Sequence, residues 1–253
     1  MPSIEVKAGC VEEILPWRDL YRQEMNCQIV HDSFHARPGW TEAQLLYVDG
    51  AMAGYGLIVV AGPWQGRPTV CEFYVLPQWR GRAFDLFDEF LRSSLAVGIE
   101  VQSNDSLATV MLHAFADEVK SESILFHDRL TTTLSAHGGV FRRAESAGEW
   151  IVEVEGEVAA KGGLLFHYNR PYGDIYMEVT EQFRRRGMGS YLVQELKRVA
   201  YEGGNIPSAR CNPSNLASRR TLQKAGFVPC AHMLSGVVRA EAAILEWIEP
   251  IAP

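Results

Sequence analysis

Residues 75–85, VLPQWRGRAFD, lie over residues 179–189, VTEQFRRRGMG, at a constant offset of 104. That register pairs Val75 with Val179, Gln78 with Gln182, Trp79 with Phe183, Arg80 with Arg184 and Arg82 with Arg186. Further on, Asn104-Asp105-Ser106 pairs with Asn212-Pro213-Ser214 at an offset of 108. The economical account is two copies of one fold in tandem. A chain of 253 residues has room for one or two domains of about 150 residues and can bury a sizeable core without staples.

The local patterning supports the repeat. IEVKAG (4–9) alternates as a short strand, and residues 10–26 carry apolar residues at helical spacing, with Pro16 expected to break or kink that helix. Two apolar runs flank Asp49-Gly50, a hairpin signal. TVCEFYVLP (69–77) reads as a third strand, and AFDLFDEFLRSSLAVG (83–98) as an amphipathic helix closed by Gly98. A strand at 99–103, a helix at 106–116 and a strand at 123–127 complete a mixed α/β order. The second half begins with a hairpin turning at Gly156, within 149–168, and a strand at 174–179. A helix ended by Gly203-Gly204 follows, then a strand at 208–211, a helix over 214–226 and a strand at 227–234. This half lacks an opening helix and is the shorter unit. The small, polar stretch 129–148 marks the junction, giving domains 1–130 and 131–253, each a mixed, mostly antiparallel sheet flanked by helices.

Composition narrows the function classes. The net charge of -7 and pI near 5.5 argue against a general nucleic-acid binder. The five cysteines, Cys10, Cys27, Cys71, Cys211 and Cys230, are odd in number and lack CxxC spacing, so they read as reduced thiols with no metal site. No apolar run reaches the roughly 20 residues of a membrane helix. MPSIEVKAGC lacks the basic, apolar and small-residue order of a secretion leader, so a cytoplasmic protein is the expectation.

The chemistry concentrates at EQFRRRGMGSYL (181–192), where three arginines abut a Gly-Met-Gly turn that opens a helix. The first amides of a helix have no intrahelical partner, and the macrodipole favours an anion there. Glycine at 187 and 189 lets the backbone approach a ligand closely. A P-loop would need G-x-x-x-x-G-K-[ST], and a dinucleotide fingerprint would need glycine where Leu192 stands. A nucleic-acid contact and a merely solvated basic face are the other readings of the arginine triplet.

Arg184-x-x-Gly187-x-Gly189, followed downstream by Asn215, Ser218 and Lys224-Ala-Gly-Phe227, resembles the GNAT superfamily of acyl-CoA-dependent N-acyltransferases. The resemblance covers about residues 150 to 235 closely and the first half more weakly. It implies acetyl-CoA as co-substrate, with no metal. Backbone groups of Met177 and Val179 would hold the pantetheine arm and polarise the thioester carbonyl. Amides of Arg185, Arg186, Gly187, Met188, Gly189 and Ser190 would cradle the pyrophosphate with arginine support from Arg184–Arg186. Asn215, with Ser218, would contact the cofactor arm. The acceptor would be a small-molecule or peptide amine, which must lose a proton before attack; Glu178, Asp174 and His167 are candidate bases. Alternation places Asp174, Tyr176 and Glu178 on one strand face. His167, Tyr168, Tyr172 and Tyr176 either line a substrate pocket or pack as ordinary strand aromatics. The expected partners include no nucleic acid and no membrane, and the chain is expected as a monomer or homodimer.

Both halves depart from the family pattern. In the first, Asp85 occupies the position matching Gly189. A carboxylate about 4 Å from a diphosphate costs roughly 4 kcal/mol per charge pair at an effective dielectric near 20. A helix N-terminus returns only about 0.3–1 kcal/mol. The first domain is therefore expected not to bind CoA through this loop, acting as scaffold or substrate wall. In the second half Leu222 occupies the position of the tyrosine that commonly serves the family as general acid, so a CoA-binding or ligand-sensing module is the alternative function. Cys211 is expected to be a buried structural thiol, and Ser214 a helix cap.

Overall fold

The computed structural model describes residues 3–136, 138–146 and 148–240; positions 137 and 147 of the junction stretch lie outside the described residues. The chain forms two compact units. Of the described residues, the first comprises 3–24, Phe34–Lys120 and 234–240; the second comprises Met25–Ser33 and Ser121–Met233. The expected mixed α/β architecture is present in each. None of the described helices is long and apolar enough to cross a membrane.

In the first unit, β1 (Ile4–Gly9), β2 (Thr41–Val48), β3 (Ala51–Val59) and β4 (Thr69–Val75) pair antiparallel in that order, and β5 (Gly98–Gln102) runs parallel to β4. The C-terminal part of β12 (Phe227–Val238) and then the N-terminal part of β6 (Ala116–Asp128) extend this sheet beyond β5. The expected hairpin forms because Asp49 and Gly50 both adopt left-handed φ values, 49° and 77°, as a tight two-residue turn requires. Helix α1 (Val11–Met25) runs through Pro16 without interruption, contrary to expectation. Pro16 lies in the second turn, where its missing N–H removes a single rung of the ladder.

Helix α2 (Ala83–Ser94) stops earlier than its sequence suggests. Leu95 takes the left-handed cap conformation at φ 54°, and its N–H still bonds Leu91 O. Gly98 instead opens β5, where a Cβ would stand 2.8 Å from Thr69 Oγ1 on the paired strand. Helix α3 (Ser106–Phe115) starts at Asp105, whose side chain accepts from Ala108 N at 2.9 Å. Phe73, Phe87, Phe90, Ile99 and Leu112 build the core of this unit, with the Phe73 and Phe87 rings edge to face at 4.7 Å.

A charged pair is sealed into the same unit. Arg18 and Glu72 are each 2% exposed, with Arg18 Nε 3.0 and 3.2 Å from the two carboxylate oxygens. His35 Nε2 lies 3.4 Å from the same carboxylate, and Tyr55 donates its hydroxyl to it. Burial alone would raise the Glu72 carboxyl, but Arg18 and then His35 outweigh it and hold it at about 2. A carboxyl that ionises more easily folded than unfolded contributes stability above its unfolded value. That contribution is lost as pH falls through about 4 toward 2. Glu72→Gln keeps the shape but removes the negative charge facing Arg18, and is expected to cost about 3–5 kcal/mol in urea unfolding at neutral pH, with the deficit shrinking in acid. A variant as stable as the parent at neutral pH would show that the pair carries no net load.

The second unit repeats the plan. β7 (Val140–Arg143), β8 (Glu149–Val154), β9 (Glu157–Leu165) and β10 (Tyr172–Val179) pair antiparallel, and β11 (Ile206–Cys211) runs parallel to β10. Beyond β11 come β6 from Ser121 and β12 up to Met233. Helix α4 (Met188–Glu202) packs on β9, β10 and β11, burying Leu192, Val193 and Leu196 against Ile175, Ala160 and Ala209. Helix α5 (Leu216–Lys224) follows β11. Lys197 is buried on α4, where its ammonium donates to Leu130 O and Ala225 O and pairs with Asp128 at 2.7 Å.

Candidate functional site

Strands β10 and β11 are paired at Tyr172↔Ile206, Gly173↔Pro207 and Asp174↔Ser208, and the described ladder stops there. Both strands continue, to Val179 and to Cys211. On its other edge β10 stays paired with β9 as far as Val179↔Ala160, and Thr180 N donates to Ala159 O at 3.0 Å. Backbone groups alternate along a strand, so if Thr180 faces β9, those of Met177 and Val179 face the opposite, unpaired edge. The strand therefore turns backbone groups of Met177 and Val179 toward a cleft, as an added extended chain would require.

The arginine loop follows at the end of this cleft. After a single 3-10 turn, Glu181–Phe183, Arg185 and Gly187 take left-handed φ values of 63° and 84°. Gly187 is the N-cap of α4, and the first ladder bond of the helix runs from Tyr191 N to Gly187 O at 3.0 Å. The amides of Met188, Gly189 and Ser190 precede that bond and have no intrahelical acceptor. Left-handed backbone at Arg185 and Gly187, beside a helix start, makes a concave row of donors suited to an anion. Arg184, Arg185 and Arg186 are exposed around it. Arg184 Nε lies 3.4 Å from Val179 O, and the Arg186 guanidinium lies over the Phe183 ring. Lys224 adds a cation that the sequence reading did not assign: its Nζ stands 3.7 Å from where a Cβ on Gly187 would be.

Helix α5 departs from expectation at its cap. Asn215, not Ser214, is the N-cap, its side chain accepting from Ser218 N at 3.0 Å. Ser214 instead donates its hydroxyl to Asn212 Oδ1 at 2.6 Å, because the Asn212 side chain closes the preceding turn. Leu222 is 2% exposed and belongs to the hydrophobic core. Cys211 is buried, and burial pushes its thiol up, away from the reactive thiolate.

The three base candidates are not equivalent. Glu178 is exposed and 3.4 Å from Lys161. Asp174 is 6% exposed, and its Oδ2 lies 3.2 Å from His167 Nε2 and 3.7 Å from Arg210 Nε. The contact with His167 is close but out of hydrogen-bond alignment. Tyr168 is buried, edge to face with the His167 ring and beneath the Arg210 guanidinium, and its hydroxyl makes no hydrogen bond. Ser208, opposite Asp174 in the ladder, is fully buried with an unpartnered hydroxyl. Tyr172 is half-buried and Tyr176 exposed, so of the expected aromatic set Tyr168 alone is sealed beside Asp174. Ser208 and Arg210 escaped the sequence reading, although alternation along SARC places them on one face.

The matching loop of the first unit is occupied by its own side chains. Arg82 Nε bonds Asp85 Oδ2 at 2.7 Å, and Arg80 pairs with Glu24 and bonds Val75 O at 3.1 Å. Asp85 places its carboxylate in the first turn of α2.

The family model described as the Acetyltransferase (GNAT) family matches residues 111–227. No curated protein matches the chain. Among solved structures, a GNAT-family acetyltransferase from Colwellia psychrerythraea is similar at TM-score 0.71 and 13% identity, covering 93% of this chain and 100% of that one. A GCN5-related N-acetyltransferase from Sphaerobacter thermophilus aligns at TM-score 0.62 and 15% identity, over 93% and 96% of the two chains. A tandem GNAT protein from the clavulanic acid biosynthesis pathway aligns at TM-score 0.58 and 12% identity, over 93% and 98%.

Proposed function

We propose that this chain, which carries a GNAT acetyltransferase domain at residues 111–227 within a tandem GNAT fold, transfers an acetyl or other short acyl group from acyl-CoA to the primary amine of a small molecule or peptide. The observation that carries the proposal is the divergence of β10 from β11 after Asp174, directly ahead of the donor-rich start of α4. Pantetheine lies in that gap against Met177 and Val179. The diphosphate sits on the amides from Arg185 to Ser190, with Arg184, Arg185, Arg186 and Lys224 around it, and Asn215 and Ser218 flank the arm. A backbone amide of β10 aimed at the thioester oxygen stabilises the charge that develops there on attack.

His167, with Nε2 3.2 Å from Asp174 Oδ2, accepts the amine proton. The pair lies at the paired end of the β10–β11 cleft, and an imidazole beside a carboxylate is suited to proton transfer. The amine attacks the thioester carbon, the C–S bond breaks, and the CoA thiolate takes its proton from water, since Leu222 offers none. Arg210, 3.7 Å from its carboxylate, helps to fix the orientation of Asp174. The first unit, its loop filled by Asp85, serves as scaffold or substrate wall.

Burial of Leu222 favours one other reading, a CoA-binding module without turnover. A panel of primary amines with acetyl-CoA, read by chromatographic release of CoA, separates the two. The proposal expects release with at least one amine, and saturable acetyl-CoA binding without release across the panel would favour the binding module.

A further inference from the structure

Cys27, His127 and Cys230 come together in the second unit, although 100 and 103 residues separate them along the chain. Their two Sγ atoms and one ring nitrogen all lie within 4.8 Å of one another, and Cys27 Sγ is 4.0 Å from His127 Nε2. Cys27 is 2% exposed, while His127 and Cys230 are half-buried. Each comes from a different segment: Cys27 from the stretch after α1, His127 from β6 and Cys230 from β12.

The position of Cys27 is fixed without help from its thiol. Asn169 donates to Cys27 O at 3.2 Å and accepts from Ile29 N at 2.6 Å, while Gln28 donates to Phe126 O at 3.2 Å. The Cys27 thiol itself donates to Gln28 Oε1 at 2.9 Å, a bond it would give up on losing its proton.

We propose that Cys27, Cys230 and His127 form a binding site for one zinc-class transition-metal ion, with a fourth coordination position left for water or another small ligand. Zinc bonds thiolate at about 2.3 Å and imidazole at about 2.0–2.1 Å, so tetrahedral geometry puts neighbouring ligand atoms roughly 3.5–3.8 Å apart. The side chains therefore need to move by no more than about 1 Å to reach that geometry. A disulfide would join the two sulfurs and give the imidazole no part, whereas a metal uses all three groups. Two thiolates balance a divalent charge, which suits a site with so little exposure. Binding replaces two S–H protons with two metal–sulfur bonds, releases both protons and changes no oxidation state. The ion would fasten the stretch around Cys27 to β6 and β12.

His127 is level with Ser208 across the sheet, and Ser208 with Asp174, so the ion would lie on the sheet face that carries Asp174. Metal uptake at this cluster is independent of acyl transfer and is read out on its own.

Titration of the reduced, chelator-stripped full chain with Co2+ tests it. The expected result is one equivalent per chain, with a thiolate-to-cobalt charge-transfer band and the intense visible bands of tetrahedral cobalt, both displaced by Zn2+. Cys230→Ser and His127→Ala should each lose the bound equivalent or the tetrahedral spectrum, while Cys10→Ser, which alters an exposed thiol, should retain both. Added Zn2+ should raise the melting temperature of the parent, a readout that needs no folded variant. A weak octahedral spectrum, uptake unchanged in the Cys230 and His127 variants, or a Cys27–Cys230 disulfide in place of any metal uptake would overturn the proposal.

Discussion

Gly189→Asp is expected to weaken acetyl-CoA binding by about a thousandfold, measured by calorimetry, while leaving the fold intact. The substitution writes the first unit's own residue, Asp85, into the second unit's loop. A carboxylate about 4 Å from the diphosphate costs roughly 4 kcal/mol per charge pair at an effective dielectric near 20, or about three decades of affinity. Gly189→Ala separates charge from crowding. A Cβ at this position would stand 3.0 Å from Val179 Cγ2 and 3.3 Å from Thr221 Cγ2, so these side chains must yield by a few tenths of an ångström. Alanine should therefore cost far less than aspartate. Equal losses for the two variants would mean that the position matters for packing and that no anion is held there.

The second large effect concerns the proton. His167→Ala and Asp174→Asn are each expected to lower kcat by about 100- to 10,000-fold, the usual weight of a general base. Binding of acetyl-CoA should stay within a few-fold of the parent, because neither side chain lies in the arginine loop. Glu178→Gln should leave turnover nearly unchanged, since Glu178 is exposed and faces Lys161 rather than the buried cluster. Loss of turnover in Glu178→Gln alone would move the base to that residue. Loss of acetyl-CoA binding in Asp174→Asn would show that Asp174 shapes the cleft instead of serving the proton.

Much of the architecture is legible because it is written locally. Asp49-Gly50 announces its hairpin, since two left-handed residues in succession suit Asn, Asp and Gly. The repeat between VLPQWRGRAFD and VTEQFRRRGMG points to the tandem fold without reference to any contact. The loop glycines and arginines, with Lys224-Ala-Gly-Phe227 downstream, point to the family. Features set by tertiary context are not legible in this way. Gly98 looks like a helix terminator and instead sits where Thr69 leaves no room for a Cβ. Nothing in residues 227–238 shows that β12 serves the second unit up to Met233 and the first from Leu234, because strand pairing is decided far along the chain.

The chemistry divides along the same line. Asp174, Glu178 and His167 can be named from their strand positions, but burial and the 3.2 Å approach of His167 to Asp174 are what rank them. Arg210 and Ser208 become visible only when β11 is set beside β10. Likewise Cys27, His127 and Cys230 have no motif spacing at all; separations of 100 and 103 residues leave nothing for a spacing rule to detect.

On the proposed reading the second unit alone holds acyl-CoA, in the cleft between β10 and β11. A crystal structure of the full chain with acetyl-CoA tests it most directly. One cofactor per chain is expected, its pantetheine arm along Met177 and Val179 and its diphosphate on the amides from Gly187 to Ser190. Diphosphate density over Asp85 at the start of α2, or a cofactor bound away from the β10–β11 cleft, would contradict it.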